Sequence, residues 1–426
     1  MQIDIHSAAS NTLREYAVKV RAFKPNARLY LVNIIITGVA MGVLRLLFNF
    51  FVLSLGYDEV LVGKLVTVNN MTALLLALPT GYLADYLGRK RSLLTGGSLT
   101  ALAVLAMVIW PQVTMLYLAN VLFGFSQSLL TVTNAPFLME NSGEQERTYL
   151  FSFASGLMMA ANSLGNWIGG YLPTWVASMR MITPTSSVAY AGALLVASFI
   201  TMVGLLPLFF LHTSRTRRNE RTDFAPIRYA TENPVLLTKL ILPMLITSIG
   251  AGLIMPFMNV FYRQVYHQPD PMIGAMFAWG SLAMGLGLLL APPLADRIGK
   301  IQLVVITQAI SVPFLVMMGF SPWFWLSAVA YYIRLALMNM SSPVYQTFVM
   351  ERVESSARAT VASLEGMAWN FGWAFSPVVS GWLQVNYGFG PAFLGTILLY
   401  SLSIVLYWAF FWHKSVEPIP AVMPGD

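Results

Sequence analysis

The chain has 426 residues, 57% of them apolar and only 10% charged, with a mean hydropathy of +0.66. A soluble domain carries roughly 25% charged residues, so this composition excludes an ordinary water-soluble fold and puts the bilayer in the place of solvent. Cysteine is absent, which rules out a disulfide framework and a thiolate nucleophile or metal site. The formal net charge of +7 is scattered along the chain, unlike the single basic patch that nucleic-acid binding needs.

In chain order, residues 1–28 form a polar, basic tail in which Thr12 to Lys24 reads as a short interfacial helix on the lipid headgroups. The first apolar run, Leu29 to Leu55, is too long for a signal-peptide core. Gly56-Tyr57-Asp58-Glu59 follows it in place of a small-residue cleavage site, so it stays as a span. At about 1.5 Å rise per residue, a hydrocarbon core of about 30 Å needs roughly twenty residues per helix. That measure predicts six spans near 29–55, 60–83, 92–110, 114–138, 150–174 and 188–211. Six more are predicted near 240–262, 272–294, 301–320, 323–349, 358–384 and 389–412, before a tail at 413–426. The expected fold class is therefore an all-α membrane protein of twelve transmembrane helices in two six-helix bundles, 29–211 and 240–412. The segment His212 to Lys239, with Arg215, Arg217, Arg218, Arg221, Pro226 and Pro234, reads as the linker between them.

Of the 25 Lys and Arg residues, twenty fall in the tails, the linker and the loops at 84–91, 147, 295–300 and 351–358. The other face has Lys64, Arg180 and Arg263. The positive-inside rule then puts both termini in the cytoplasm. Short outer loops without glycosylation sequons suit the cytoplasmic membrane of a bacterium.

A constant shift relates the two halves. Leu83-Ala84-Asp85-Tyr86-Leu87-Gly88-Arg89 matches Leu294-Ala295-Asp296-Arg297-Ile298-Gly299-Lys300 at 211 residues, and so do Met139-Glu140 and Met350-Glu351, Arg147 and Arg358, Gly63 and Gly274, and Gly170 and Gly381. Gly42 and Asn49 match Gly252 and Asn259 at 210. A duplicated bundle gives two packings of nearly equal energy, so a site at the repeat interface opens to either side by rocking.

Ionisable groups inside spans are costly and point to function. Arg45 in span 1 and Arg334 in span 10 both lie about ten residues, or about 15 Å, from the outer end. Glu365, in span 11, is the carboxylate well inside a span, and a buried Arg334–Glu365 pair is the structural alternative to a coupling or gating role for it. Arg45 and Asn49 are i,i+4. Asn120, Gly124, Gln127, Thr131 and Asn134 share one face of span 4. Asn259 repeats Asn49 in span 7, where Pro256 is placed to break the helix. These side chains read as a polar path through Arg45, Asn49, Gln127, Thr131, Asn259 and Arg334, the alternative being interhelical hydrogen bonding. All four histidines, His6, His212, His267 and His413, sit in tails, loops or span ends, so neither a metal site nor an enzyme's nucleophile constellation is expected.

The stretch Gly81-Tyr82-Leu83-Ala84-Asp85-Tyr86-Leu87-Gly88-Arg89-Lys90-Arg91 resembles the loop 2–3 signature of the major facilitator superfamily, and the second copy, the twelve spans and the central linker extend that resemblance over the whole chain. The resemblance implies a secondary transporter of a small organic solute, without cofactor and expected as a monomer. It implies that spans 1, 4, 7 and 10 line the path, and that Asp85, Arg89 and Asp296 act as a conformational latch. Two family patterns depart. Span 4 reads Asn120-Val121-Leu122-Phe123-Gly124 where proton-coupled members have an arginine before the glycine. Span 5 reads Gly165-Asn166-Trp167-Ile168-Gly169-Gly170 where antiporters have Gly-Pro, the proline appearing instead in Ser376-Pro377 of the second half. An exporter of organic anions or of amphipathic compounds is expected; a facilitator without proton coupling, a lipid or drug flippase and a sensor without flux stay open as alternatives.

Overall fold

The computed structural model describes residues 23–143, 146–212, 233–353 and 358–412. The expected interfacial helix from Thr12, nearly all of the linker and the 413–426 tail lie outside these residues. Among the described residues the regular structure is helical. The first half comprises α1 (Pro25–Ser54), α2 (Glu59–Leu75), α3 (Ala77–Leu87), α4 (Arg89–Ile109), α5 (Val113–Glu140), α6 (Arg147–Arg180) and α7 (Ser187–Phe209). The second comprises α8 (Pro234–Ile254), a 3₁₀ turn (Met255–Phe257), α9 (Met258–Tyr266), α10 (Asp270–Ile298), α11 (Lys300–Phe320), α12 (Phe324–Met350), α13 (Arg358–Tyr387) and α14 (Gly390–Phe411).

Eight stretches, with α8 through α9 counted as one, are long and apolar enough to cross a membrane, and the bent pair α2 and α3 makes a ninth. The helices α6, α12 and α13 complete the twelve crossings; they have 34, 27 and 30 residues but a more polar composition. They are the helices that carry Asn162 and Asn166, Arg334, and Glu365. A span can be that polar only where neighbouring protein or water, not lipid, receives the polar groups.

Two spans are broken, and proline explains both. α2 and α3 meet at an angle of 58°. Pro79 cannot donate to the Leu75 carbonyl, and its ring crowds that turn. Pro256 does the same to span 7, where the helix tightens into the 3₁₀ turn Met255–Phe257.

The contacts divide the chain into two compact units, residues 1–55 with 75–216 and residues 56–74 with 217–426. In the first unit α1 packs on α6 and α7, α4 on α5 and α7, and α3 on α5. In the second α8 packs on α13 and α14, α11 on α12 and α14, and α10 on α12. Each pairing in one unit has its counterpart in the other, so the duplication read at a shift of 211 is repeated in the packing.

Small residues allow the close seams. A Cβ on Gly42 of α1 would stand 2.8 Å from the Gly165 Cα of α6, and one on Gly169 would stand 3.1 Å from the Val43 Cα. In the second unit the same seam sets Gly252 of α8 against Ser376 of α13, and the Ser248 and Ser380 hydroxyls donate across it to the Trp369 and Leu253 carbonyls. With lipid no less apolar than leucine, such backbone approach and interhelical hydrogen bonding hold spans together. The Gly165–Gly169 pattern of span 5 therefore serves helix packing. Also within the second unit, Gly63 of α2 abuts the Pro377 backbone of α13, and Asn70 Nδ2 donates to the Trp373 carbonyl at 3.1 Å.

Candidate functional site

Two glycines set the geometry at the repeated motif. Gly88 has φ 79° and ψ 157°, and Gly299 has φ 95° and ψ 149°, a region in which a side chain would be strained. Each ends one helix by donating to the carbonyl four residues back, Ala84 or Ala295, and the next helix begins on the following residue. That residue is Arg89 in the first unit. Its Nη1 donates to Asp85 Oδ1 at 3.0 Å and its Nε to Glu140 Oε1 at 3.0 Å. In the second unit the residue is Lys300, which donates to Glu351. Asp296 is exposed and, among the described residues, has no ion-pair partner. The planar guanidinium fork serves two carboxylates, whereas an ammonium is a point charge. Lys90 adds a contact without a counterpart at Ile301: its Nζ donates to the carbonyls of Phe209, 2.6 Å, and Leu211, 2.8 Å, at the end of α7.

The two intramembrane arginines differ. Arg45, nine residues from the Ser54 end of α1, is about 14 Å deep along the helix. It is exposed, and among the described residues its guanidinium has no hydrogen-bond or ion-pair partner. Arg334 of α12 is only 2% exposed. Its Nη2 donates to the Tyr400 hydroxyl at 3.1 Å, its Nη1 lies 4.0 Å from the Met255 sulfur at the span 7 break, and its carbon Cζ sits 5.4 Å over the Tyr400 ring. Its Nε is buried and, among the described residues, has no hydrogen-bond partner. The anticipated Arg334–Glu365 pair is not formed. Glu365 is 7% exposed, and among the described residues its Oε1 has no hydrogen-bond partner and the titratable groups beside it are Tyr345 and Tyr407. Arg334 stands ten residues after the start of α12 at Phe324 and Glu365 seven after the start of α13 at Arg358; because these consecutive spans run in opposite directions, the two side chains do not meet at one level.

The polar stripe of span 4 divides. Asn120 is buried and its Nδ2 returns to the Leu116 carbonyl, 2.8 Å, within its own helix. Gln127 Nε2 reaches Thr100 Oγ1 of α4 at 3.5 Å, while Asn134 Oδ1 accepts from the Tyr30 hydroxyl of α1 at 3.0 Å. Thr131 is exposed. Asn49 and Asn259 are buried, at 4% and 2%, and Asn259 Oδ1 accepts from the Val260 amide beside the span 7 break. Arg45 and Thr131 are thus the accessible members of the expected path, Gln127 is half-buried, and Asn49, Asn259 and Arg334 belong to the packed interior. Among the described residues no group of three or more His, Asp or Glu side chains is placed to hold a metal ion.

The sequence matches the profile of the Major Facilitator Superfamily over residues 30–267 and 240–421. The chain belongs to the major facilitator superfamily. It is a transporter, and its curated relatives in the superfamily include the multidrug resistance protein MdtG of Dickeya zeae, 24% identical over 396 residues that cover 89% of this chain and 92% of the relative. MdtG of Escherichia fergusonii is 24% identical over 340 residues, 77% and 79% of the two chains. Among solved structures of the same fold, the nucleoside transporter NupG superposes with a TM-score of 0.75 at 14% identity, over 92% of this chain and 100% of that one. The D-xylose-proton symporter gives 0.69 at 14% identity, over 93% and 98%.

Within the superfamily signature the sequence named Asp85, Arg89 and Asp296 as the latch, and Glu140, Lys300 and Glu351 only as landmarks of the repeat. The signal was present: the two glutamates stand at the same 211 shift as the motif, 51 residues after Arg89 and Lys300 in each copy. Tyr400 and Met255, which hold Arg334, had no such signal, because neither is ionisable and their approach depends on the span 7 break.

Proposed function

We propose that this transporter exports an amphipathic organic solute bearing an anionic group, by alternating access between the bundles 29–211 and 240–412. Arg45 carries the reading. A guanidinium facing lipid at that depth would cost several kcal/mol, so an exposed, unpartnered Arg45 has water or solute as its counterpart. It is the natural ligand for a carboxylate or phosphate, with Thr131 and Gln127 as further hydrogen-bonding groups of the same unit; Asn49 belongs to the packed frame of that unit, and Asn259 and Arg334 to the packed frame of the second. The printed names of the curated relatives, multidrug resistance proteins, support an amphipathic cargo and outward direction. Asp85, Arg89 and Asp296 act in this reading at the membrane face where the units change position, Arg89 holding Glu140 and Asp85 together in one state.

The test is flux. Purified protein in proteoliposomes is expected to move amphipathic organic anions in preference to their neutral and cationic analogues, and Arg45→Ala is expected to abolish that preference. Unchanged anion flux in Arg45→Ala overturns the assignment. The same reading places the protein as a monomer in a bacterial cytoplasmic membrane with both termini inside, supported by the basic loops. Because the chain has no cysteine, single cysteines at Tyr57 and Ser214 can be labelled directly in intact cells. An impermeant reagent is expected to reach the first and not the second.

A further inference from the structure

A guanidinium has five N–H donors and one permanent positive charge, and at Arg334 the fold satisfies few of the donors and leaves the charge uncompensated. Nη2 donates to the Tyr400 hydroxyl at 3.1 Å, while Nη1 has the Met255 sulfur 4.0 Å away. Nε is buried and, among the described residues, has no hydrogen-bond partner. Among the same residues no ion pair includes Arg334. The titratable groups beside it are two phenols, Tyr331 of α12 and Tyr400 of α14. Glu365, the buried acid of the same unit, has Tyr345 and Tyr407 beside it instead.

Both phenols keep a donor in reserve. Tyr400 accepts from Arg334, and among the described residues neither its own O–H nor that of Tyr331 donates to a partner. Tyr331 stands i,i+3 from Arg334, on the same face of α12. At 4% and 7% exposed, Tyr400 and Tyr331 meet little bulk water. An unpaired charge in a protein interior is costly, and water molecules satisfy its donors without cancelling it. The placement of Cζ 5.4 Å over the Tyr400 ring recovers only part of that cost. One cation surrounded by donors fits a small monovalent anion, since hydrogen bonds to an ion are the strong ones. A doubly charged phosphate or sulfate would replace one uncompensated charge by another of opposite sign, and an organic solute needs more room than a guanidinium 2% exposed can offer.

We propose that the second unit holds a small inorganic anion of the chloride or bromide class at Arg334, bound by Nε and by the Tyr331 and Tyr400 hydroxyls, as a resident counter-ion and not as cargo. The ion neutralises the guanidinium and ties α12 to α14 beside the span 7 break. Arg45 of the first unit needs no such ion, because it is exposed.

The probe is chloride itself, and neither readout depends on cargo or flux. Thermal unfolding of the purified full chain in detergent, with gluconate replaced by chloride at constant ionic strength, should show a midpoint that rises and then saturates. Bromide should act in the same way. Arg334→Met should abolish the dependence, and Tyr331→Phe and Tyr400→Phe should each weaken the apparent affinity about 10-fold or more, as one hydrogen bond to an ion is lost. Arg45→Ala should leave the dependence in place, which separates the resident ion from an anion at the exposed arginine. In a second readout the unmodified protein should broaden the chloride magnetic resonance line, and added bromide should narrow it again. Equal midpoints in chloride and gluconate together with an unbroadened line overturn the proposal. So does a chloride dependence that Arg45→Ala removes or Arg334→Met retains. Where Arg334→Met does not fold, the phenylalanine variants decide: undiminished chloride affinity in both overturns the site.

Discussion

In the first unit the intramembrane guanidinium comes from α1 and is open; in the second it comes from α12 and is closed over. At the shift of 210 that relates spans 1 and 7, Arg45 corresponds to Met255, and the Arg334 guanidinium lies 4.0 Å from the Met255 sulfur. Both units therefore bring a cation to the same point of the repeat, from different helices. What distinguishes them is the covering. Arg334 has the Tyr400 hydroxyl and ring and a broken span 7 around it, whereas α1 runs unbroken past Arg45 from Pro25 to Ser54. A duplicated fold can thus keep one copy of a position as frame and free the other for a ligand.

That contrast can be broken most directly at Arg334. Truncation to Ala leaves a hole and an unpartnered Tyr400 hydroxyl, and should cost about 2–5 kcal/mol, the range of large-to-small core changes. Denaturation of the reconstituted protein measures it, and a stability equal to the parent would remove the distinction between the two arginines. Arg45→Ala should leave stability within about 0.5 kcal/mol, as expected of an exposed side chain with no hydrogen-bond or ion-pair partner among the described residues. Its loss should fall on anion transport, about 10- to 100-fold in kcat/KM, as charge-assisted hydrogen bonds of about 1.5–3 kcal/mol disappear.

The small-residue seam tests whether the units are built alike. Gly165→Ala would force a methyl into the Val39 backbone of α1 and should destabilise by about 1–3 kcal/mol. Gly366→Ala on α13, where nothing lies within 4 Å, should be silent in the same unfolding assay. The smallest effect is expected at the repeated motif. Glu140→Gln removes one of the two carboxylates on Arg89, yet Asp85 is 72% exposed and Glu140 20%, so the change should cost no more than about 1 kcal/mol and shrink with added salt. Glu351→Gln should cost less, and a larger loss there than at Glu140 would reverse the ranking of the two copies.

The fold was largely legible because lipid imposes length and polarity on every span. Leu29 to Leu55 announced α1, and Asp85 with Asp296 announced the repeat. The site was legible only as a set of candidates. Helical spacing placed Arg45 beside Asn49 and strung Asn120, Gln127, Thr131 and Asn134 on one face, but spacing does not say which side of a helix a neighbour covers. Asn49 and Asn120 turned out to be buried, and Thr131 open.

The sequence by itself determined the twelve crossings, the two-fold repeat and the depth of each charged group, since these follow from hydropathy and periodicity along one chain. Which cation is free, which carboxylate is left without a partner, and that Glu365 faces Tyr345 and Tyr407 instead of Arg334 were decided by tertiary structure. Those outcomes depend on how α8, α12, α13 and α14 close around one another, and on a proline break whose consequences lie on helices far away in sequence.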